Sequence, residues 1–168
     1  SACFGAPFMA LHPAVYAKTA LTIDDLSGGR FTLGLGTGWH EDEHGYHGID
    51  YPDMTTRFGW LEEAFGYVKA YFDAPEAGFD GERYRFTGFD SHPRARQSGR
   101  RLLIGGSGAN RTPAMAGTYC DEFNLYHHSP EGIRARLDVM RRAAEEAGRD
   151  PDAILISTCM PVVGGDTE

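Results

Sequence analysis

The stretch Phe31-Thr32-Leu33-Gly34-Leu35-Gly36-Thr37-Gly38 decides the fold. Its apolar start predicts a buried strand, and its glycines end that strand in a turn where the backbone can approach a ligand closely. Before it, a helix is predicted from Pro13 to about Leu26, stopped by Ser27-Gly28-Gly29. Residues 3–9, a short apolar run broken by glycine and proline, predict an earlier strand. This strand-helix-strand order indicates parallel strands joined by a helical crossover.

The same alternation continues towards the C-terminus. A polar segment runs from Trp39 to about Thr56. The pattern then predicts a helix with one apolar face, formed by Phe58, Leu61, Phe65, Val68 and Phe72. The further predicted elements are a hairpin over 79–86, a strand over 102–104, a short helix near 111–118, a strand over 121–125, a helix from Ser129-Pro130 to Gly148 and a last strand within 153–163. The tally is about five strands and four helices, an α/β class. A closed (β/α)₈ barrel needs about 250 residues, so the chain is either an incomplete barrel or an open sheet.

Composition narrows the classes of partner. The net charge of −8 argues against nucleic acid, because phosphate contacts need clustered Lys and Arg. The basic cluster Arg94, Arg96, Arg100 and Arg101 lies among Pro, Ser and Gly, and we interpret it as a solvated loop. No apolar run approaches the roughly 20 residues of a membrane span.

The cysteines and the N-terminus indicate in which compartment the protein is found. Cys3, Cys120 and Cys159 lie far apart without a Cys-x-x-Cys spacing, which indicates buried thiols in a reducing cytoplasm and excludes a zinc ribbon. The N-terminus has no basic region typical of a signal peptide. It also lacks an initiator Met, so we expect the chain to start inside a longer protein.

Two glycine-rich turns follow predicted strands, Gly36-Thr37-Gly38-Trp39 and Gly105-Gly106-Ser107-Gly108. Each lies at the carboxyl end of its strand, which is the ligand-binding edge of barrels and of open α/β sheets. Amides at a following helix start attract phosphate, and Arg111 and Thr112 could add further donors. A dinucleotide-binding Gly-x-Gly-x-x-Gly pattern is disfavoured because position 41 is Glu.

A competing motif is His40-Glu41-Asp42-Glu43-His44, which satisfies H-E-x-x-H. On a helix, this spacing places two histidines on one face to bind zinc, with Glu41 as a base. Gly45 and Gly48 oppose the three stable turns that such a helix needs. A zinc hydrolase, with His47 as a possible third ligand in a loop site, is therefore the alternative of another class.

As an ordered set, these segments resemble the luciferase-like monooxygenase superfamily. The matching segments are His12-Pro13, Leu26-Ser27-Gly28-Gly29-Arg30-Phe31, Gly34 to Trp39, Glu43, Gly48-Ile49, Arg57-Phe58, Phe79-x-Gly81-x-x-Tyr84, Ile104 to Gly108, Arg111-Thr112, Asp121-Glu122-Phe123-Asn124 and Gly148-Arg149-Asp150-Pro151. The resemblance covers nearly the whole chain.

The resemblance implies one TIM-barrel domain over residues 1–168, incomplete at both ends, containing about strands three to seven of a (β/α)₈ barrel. It implies an oxidoreductase that acts on a small organic substrate. Asp121-Glu122-Phe123-Asn124 and Gly148-Arg149-Asp150-Pro151 favour the branch that uses coenzyme F420, with hydride transfer at the deazaflavin C5. The alternative cofactor is FMN, with O₂ activation and monooxygenation. Relatives often form homodimers, so a homodimer is possible.

The resemblance also assigns cofactor-site positions of the family to residues of this sequence. The resemblance places a strand bulge, often a non-proline cis peptide, at Cys3-Phe4 beneath the ring. It places Gly36, Thr37, Gly38 and Trp39 beside the ring and ribityl chain, with Glu43 nearby, and Gly105, Gly106, Ser107 and Gly108 around the phosphate. Trp39 could instead be a packing residue at the barrel top. Residues that act on substrate belong to strands absent here, so no catalytic residue is named, and an inactive barrel half that serves as a scaffold is a further alternative.

Overall fold

The computed structural model of the chain describes residues 2–97, 99, 101–126 and 129–159, and the side chains of all of these except residues 2–8 and 101. The strands are β1 (Ala2–Pro7), β2 (Phe31–Gly36), β3 (Phe79–Asp80), β4 (Arg85–Phe86), β5 (Arg101–Gly106), β6 (Glu122–Tyr126) and β7 (Leu155–Cys159). The helices are α1 (Pro13–Ser27), α2 (Glu41–Tyr46), α3 (Met54–Asp73), α4 (Arg111–Tyr119) and α5 (Pro130–Glu146).

The main sheet has five strands in the order β1-β2-β5-β6-β7, and every neighbouring pair is parallel. Strands β3 and β4 form a separate antiparallel hairpin, as predicted for residues 79–86. Helices connect the parallel strands, so all five carboxyl ends lie at one edge of the sheet. The predicted α/β order and parallel sheet are therefore confirmed.

The two faces of the sheet differ because alternate side chains point to opposite sides. One face bears the large core residues and packs against the helices; these residues are Leu33, Leu35, Leu102, Ile104, Phe123 and Leu125. The other face carries Gly34 and Gly36 of β2, Leu103 and Gly105 of β5, and Asn124 of β6. Small residues on this second face leave space at the carboxyl edge.

Local signals in the sequence set the helix ends as predicted. The Nδ1 atom of His12 accepts a hydrogen bond from the amide of Ala14 at the start of α1, and Gly28, with φ of 68°, ends it. Ser129 caps α5 in the same way by accepting from the amide of Gly132. The apolar face of α3 is confirmed, and its central residues Leu61, Phe65 and Val68 are fully buried, with Phe72 buried and Phe58 partly buried.

The polar segment 39–56 contains one helix that was not predicted from the sequence. Helix α2 forms because the Nδ1 atom of His40 accepts a hydrogen bond from the amide of Glu43, and because acidic residues fill the first turn. It has only six residues, and Gly48, with φ of 64°, follows its end. The glycines therefore keep helix α2 short but do not prevent it from forming.

The outer strands differ slightly from the predicted ranges. Strand β1 ends at Pro7, and residues 8–10 form a 3₁₀ turn. Strand β7 begins at Leu155, because residues 151–153 form another 3₁₀ turn, and residues 160–163 lie outside the described part of the chain. None of the helices that the structure describes is long and apolar enough to cross a bilayer.

The loop before β5 is anchored to α1, although its arginines Arg94 and Arg96 are exposed, as predicted for a solvated loop. Buried Asp24 accepts hydrogen bonds from the amide of Arg96 and from the Nε2 atom of Gln97, both at 2.8 Å. The Nε atom of Arg96 also lies 2.5 Å from Asp25. Arg94 pairs with Asp90 on the loop itself at 2.8 Å. Arg100 and the side chain of Arg101 lie outside the described residues.

Candidate cofactor site

A cavity of about 270 Å³ opens at the carboxyl ends of β2 and β5. Leu35 of β2 pairs with Ile104 of β5, so Gly36 and Gly105 are neighbours one residue further along, at the start of the two predicted turns. The cavity is lined by Gly36, Gly38, Trp39, Glu43, His44 and Gly105, together with backbone and side chains of the strand ends. The parallel register thus brings the first turn and the start of the second, Gly105, to one cavity, which Gly106, Ser107 and Gly108 do not line.

Gly36 keeps this cavity open. A Cβ atom built on Gly36 would have no neighbouring heavy atom within 4 Å, whereas one on Gly105 would meet the carbonyl oxygen of Asn124 at 3.5 Å. A side chain at position 36 would therefore project into empty space on the face away from the helices. At this point the cavity wall is bare backbone, which a ligand could approach closely.

The first turn is fixed by a buried arginine. Arg57 of α3 is only 5% exposed, and its Nη1 atom donates hydrogen bonds to the carbonyl oxygens of Thr37 at 3.2 Å and Gly38 at 3.0 Å. Its guanidinium lies 3.7 Å from the ring centroid of Tyr51. Gly38 has φ of 75°, which favours glycine at the bend. Thr37 takes part through its backbone and does not line the cavity.

No role was predicted for Arg57 from the sequence, although one signal is present there. Arg57 stands four residues before Leu61, on the apolar stripe of α3. A charged residue on such a stripe is rarely buried without partners. That spacing alone indicates that Arg57 meets fixed hydrogen-bond acceptors inside the protein.

The second turn is fixed by Arg136 of α5. Its Nη2 atom donates to the carbonyl oxygen of Ser107 at 2.8 Å, and its Nε atom donates to that of Gly108 at 3.1 Å. A Cβ atom on Gly108 would lie 2.8 Å from the Oγ1 atom of Thr112, so the turn packs tightly on α4. Asn110 precedes α4 without a side-chain capping bond. The first turn of α4 thus keeps its free amides at this edge.

Three more predicted site residues, Arg111, Cys3 and Phe4, either point away from the cavity or have side chains outside the described part of the chain. The guanidinium of Arg111 lies 4.7 Å from the ring of Phe58, and its Nη1 atom lies 3.5 Å from the carbonyl oxygen of Thr55, so this side chain packs against α3. Cys3 and Phe4 lie on β1, paired with Thr32 and Leu33, and their side chains fall outside the described residues. The predicted cis bond between them and their contact with a ring stay predictions.

Trp39 and Glu43 stand at the mouth of the cavity. Trp39 is 87% exposed, and the ring nearest to it belongs to His40, at 5.1 Å between centroids. It does not pack as a barrel-top core residue in the part of the chain that the structure describes. No cation among the described residues forms an ion pair with the Glu43 carboxylate. Both side chains are therefore available to a ligand.

His44, predicted from the sequence only as a zinc ligand, forms part of the cavity wall. It is 2% exposed, and its Nδ1 atom lies 2.8 Å from the carbonyl oxygen of His40. Because a carbonyl oxygen only accepts, Nδ1 carries the proton, and Nε2 is left as an acceptor. Within the described residues, Nε2 has no partner although it is buried. The ring also packs 4.7 Å from that of Tyr51.

The geometry does not favour the zinc-hydrolase alternative. The Nδ1 atom of His40 accepts the helix-capping hydrogen bond from the amide of Glu43, so the proton of this neutral imidazole lies on Nε2 and His40 offers no free nitrogen to a metal. Helix α2 has six residues and cannot provide the long zinc-binding helix of an H-E-x-x-H enzyme. Among the residues with described positions, no three His, Cys, Asp or Glu side chains form a group that could hold a metal ion. His127 and His128 lie outside this description.

The sequence profile of the family described as luciferase-like monooxygenase matches residues 5–168. The chain belongs to this family. It is 35% identical over 93% of its length to a phthiodiolone/phenolphthiodiolone dimycocerosates ketoreductase of Mycobacterium sp. (strain JLS), of which it covers 41%. It is 28% identical over 93% of its length to an FMNH(2)-dependent dimethylsulfone monooxygenase of Pseudomonas putida, of which it covers 42%. The family resemblance is thereby confirmed.

Solved structures show the same fold. An F420-dependent secondary alcohol dehydrogenase in complex with an F420-acetone adduct superposes with a TM-score of 0.78 at 21% identity, over 91% of this chain and 46% of that one. The fold is therefore that of part of a luciferase-like TIM barrel, as predicted. The chain spans less than half the length of the relatives it matches.

Proposed function

We propose that the protein is an oxidoreductase that binds an isoalloxazine-type cofactor in the cavity between Gly36 and Gly105, with coenzyme F420 preferred over FMN. The substrate is a small organic molecule, and the expected location is the reducing cytoplasm. The observation that carries the proposal is the meeting of two glycine-rich turns at the carboxyl ends of β2 and β5, where barrels bind their ligands.

The residues present fit such a group. The cavity of about 270 Å³ is close to the lower end of ordinary ligand sites, roughly 300 Å³. Gly36 leaves a flat opening against the backbone, and the amides of the second turn lie at the uncapped start of α4. Amides in this position attract an anion, which suits the phosphate of a cofactor arm.

When bound, F420 supplies a hydride at C5 of its ring, and FMN supplies a reduced flavin that activates O₂. The chain itself would orient the group. Gly36 and Gly38 admit the ring and ribityl chain, and Gly105, Gly106, Ser107 and Gly108 receive the phosphate. Glu43 places a carboxylate at the mouth, and the Nε2 atom of His44 offers an acceptor in the wall.

The preference for F420 comes from the Asp121-Glu122-Phe123-Asn124 and Gly148-Arg149-Asp150-Pro151 segments. In the structure, Arg149 donates to the carbonyl oxygens of Gly117 at 2.7 Å and Cys120 at 2.8 Å and pairs with Asp121 at 3.2 Å. These contacts join α4, β6 and the end of α5, away from the cavity. Because these segments do not line the cavity, FMN stays the second candidate. It is favoured by the relative that is an FMNH(2)-dependent dimethylsulfone monooxygenase.

Purification of the full-length protein without added cofactor tests the proposal. We expect the released small molecule to have the mass and absorption spectrum of F420, and titration with F420 and FMN to show tighter binding of F420. A protein that holds stoichiometric zinc and no coloured ligand would contradict the proposal and favour the hydrolase. A full-length protein that binds neither cofactor would favour the scaffold alternative. Light scattering on the same sample tests the homodimer.

A further inference from the structure

Two arginines hold the two glycine-rich turns in the same manner. Arg57 donates to the carbonyl oxygens of Thr37 and Gly38, and Arg136 donates to those of Ser107 and Gly108. In each case one guanidinium binds two successive carbonyl groups, and in each case it comes from a helix later in the chain. The shared pattern indicates a shared task at the two ends of the site.

The geometry of the peptide group determines how this contact orients the amides of the turns. In a planar trans peptide, the carbonyl of one residue points opposite to the amide of the next. The carbonyls of Thr37 and Gly38 point to Arg57, so the amides of Gly38 and Trp39 point away from it. By the same argument, Arg136 directs the amides of the residues after Ser107 and Gly108 to the opposite side. Each arginine thus presents two consecutive amides.

These amides are available to a ligand. Within the described residues, no acceptor takes a hydrogen bond from the amides of Gly38, Trp39, Gly108 or Ala109. Gly38 and Trp39 line the cavity, whereas Arg57 does not. The arginine therefore lies behind the turn, and the amides lie on the side of the cavity. Consecutive amides directed to one side form an anion-binding concavity.

We propose that Arg57 and Arg136 are positioning residues for the cofactor, Arg57 for its ring and ribityl end and Arg136 for its phosphate end. Neither touches the cofactor, and each acts through the peptide groups that it orients. This inference rests on the proposed function. The planar guanidinium suits the task because it offers several donors in a fixed fork, whereas a lysine ammonium is a point charge on a flexible stem.

The test compares ligands with and without phosphate in the full-length protein. The ligand pairs are FMN with riboflavin, and F420 with its phosphate-free deazaflavin core. For Arg136→Lys, we expect affinity for the phosphate-bearing ligand to fall about tenfold, with the phosphate-free ligand almost unchanged. For Arg57→Lys, both ligands should lose affinity by a similar factor. Arg134→Lys is the matched control, because exposed Arg134 lies on the same helix and pairs with Glu131.

For Arg136, the difference between the two ligands separates positioning from a purely structural role. For Arg57, a loss of affinity in a variant whose melting curve without ligand is unchanged supports positioning, and unchanged affinity in such a variant would overturn it. A structural defect would weaken both ligands equally in Arg136→Lys, and that result would overturn the inference while the proposed function stood. Melting curves without ligand show that each variant is folded, and Arg136→Gln, which keeps one donor group, gives a second folded variant if needed. Wild-type protein that binds none of the four ligands would instead overturn the proposed function.

Discussion

Gly117 of α4 lies directly against the backbone of Met140 in α5, with no room for a methyl group between them. A Cβ atom on Gly117 would overlap the carbonyl oxygen of Met140 and would lie 2.8 Å from the amide nitrogen of Ala144. Because α4 begins at the second glycine-rich turn and α5 carries Arg136, this contact sets the spacing of the two helices that shape that turn. We predict that Gly117→Ala destabilises the protein by about 1–3 kcal/mol, since two backbones must separate.

Urea denaturation of the full-length protein measures this effect. Gly59→Ala is the control, because Gly59 lies within α3 and a Cβ atom there has no neighbour within 4 Å. That change should be neutral or stabilising by roughly 0.5–1 kcal/mol, since alanine is the better helix former. Equal midpoints for the two variants would show that the α4–α5 contact is looser than described.

Asp24 provides the second prediction, because its carboxylate anchors the loop before β5. Replacement by alanine leaves the amide of Arg96 and the side-chain amide of Gln97 without their acceptor in a partly buried place. We expect Asp24→Ala to lower the free energy of unfolding by about 1–3 kcal/mol. Asp24→Asn, which keeps one acceptor oxygen, should lose less. A loss of the same size in both variants would mean that the charge, and not the hydrogen bonds, anchors the loop.

Asp53 provides a pH-dependent prediction at the start of α3. Hydrogen bonds from the hydroxyl and the amide of Thr56, and then from the amide of Thr55, lower the pKa of this carboxyl below its usual 3.8. A lowered pKa in the folded state means that the contribution to stability is present above pH 3.8 and is lost as pH falls through the folded pKa. An NMR titration of the Asp53 carboxyl should show the lowered value, and Thr56→Val should raise it. A Thr56→Val titration identical to wild type would contradict this cause.

The alternation of strands and helices could be predicted because apolar spacing and glycine or proline boundaries lie within short windows of sequence. The α3 face from Leu61 to Phe72 and the Ser129 cap are such local features. Helix α2 was missed because a helix of six residues depends on one capping imidazole, His40, and not on a repeated apolar pattern. That both glycine-rich turns lie at one edge of the sheet followed from the parallel topology, whereas the register that makes Gly36 and Gly105 neighbours is seen only in the structure.

The residues that fix the site could not be predicted in the same way. The burial of Arg57 could be inferred from its place on the apolar stripe of α3, but Arg57 and Arg136 bind backbone carbonyl groups, which every residue has, so the identity of their partners could not be inferred. The hydrogen bond between Asp24 and the amide of Arg96 joins residues that are 72 positions apart in the sequence. His44 is buried because of the tertiary fold, which its sequence neighbours do not reveal. These contacts depend on the packing of whole helices on the sheet.

Binding of F420 and FMN to Gly36→Val in the full-length protein tests the central claim most directly. Valine suits a strand, and the cavity offers it space, so the protein should remain folded with a melting temperature close to that of wild type. Because the valine side chain would occupy the groove, we predict that affinity for the cofactor falls by roughly tenfold or more, whereas Gly45→Ala on α2 binds as wild type does. Wild-type affinity in folded Gly36→Val would show that the cofactor does not bind in this cavity.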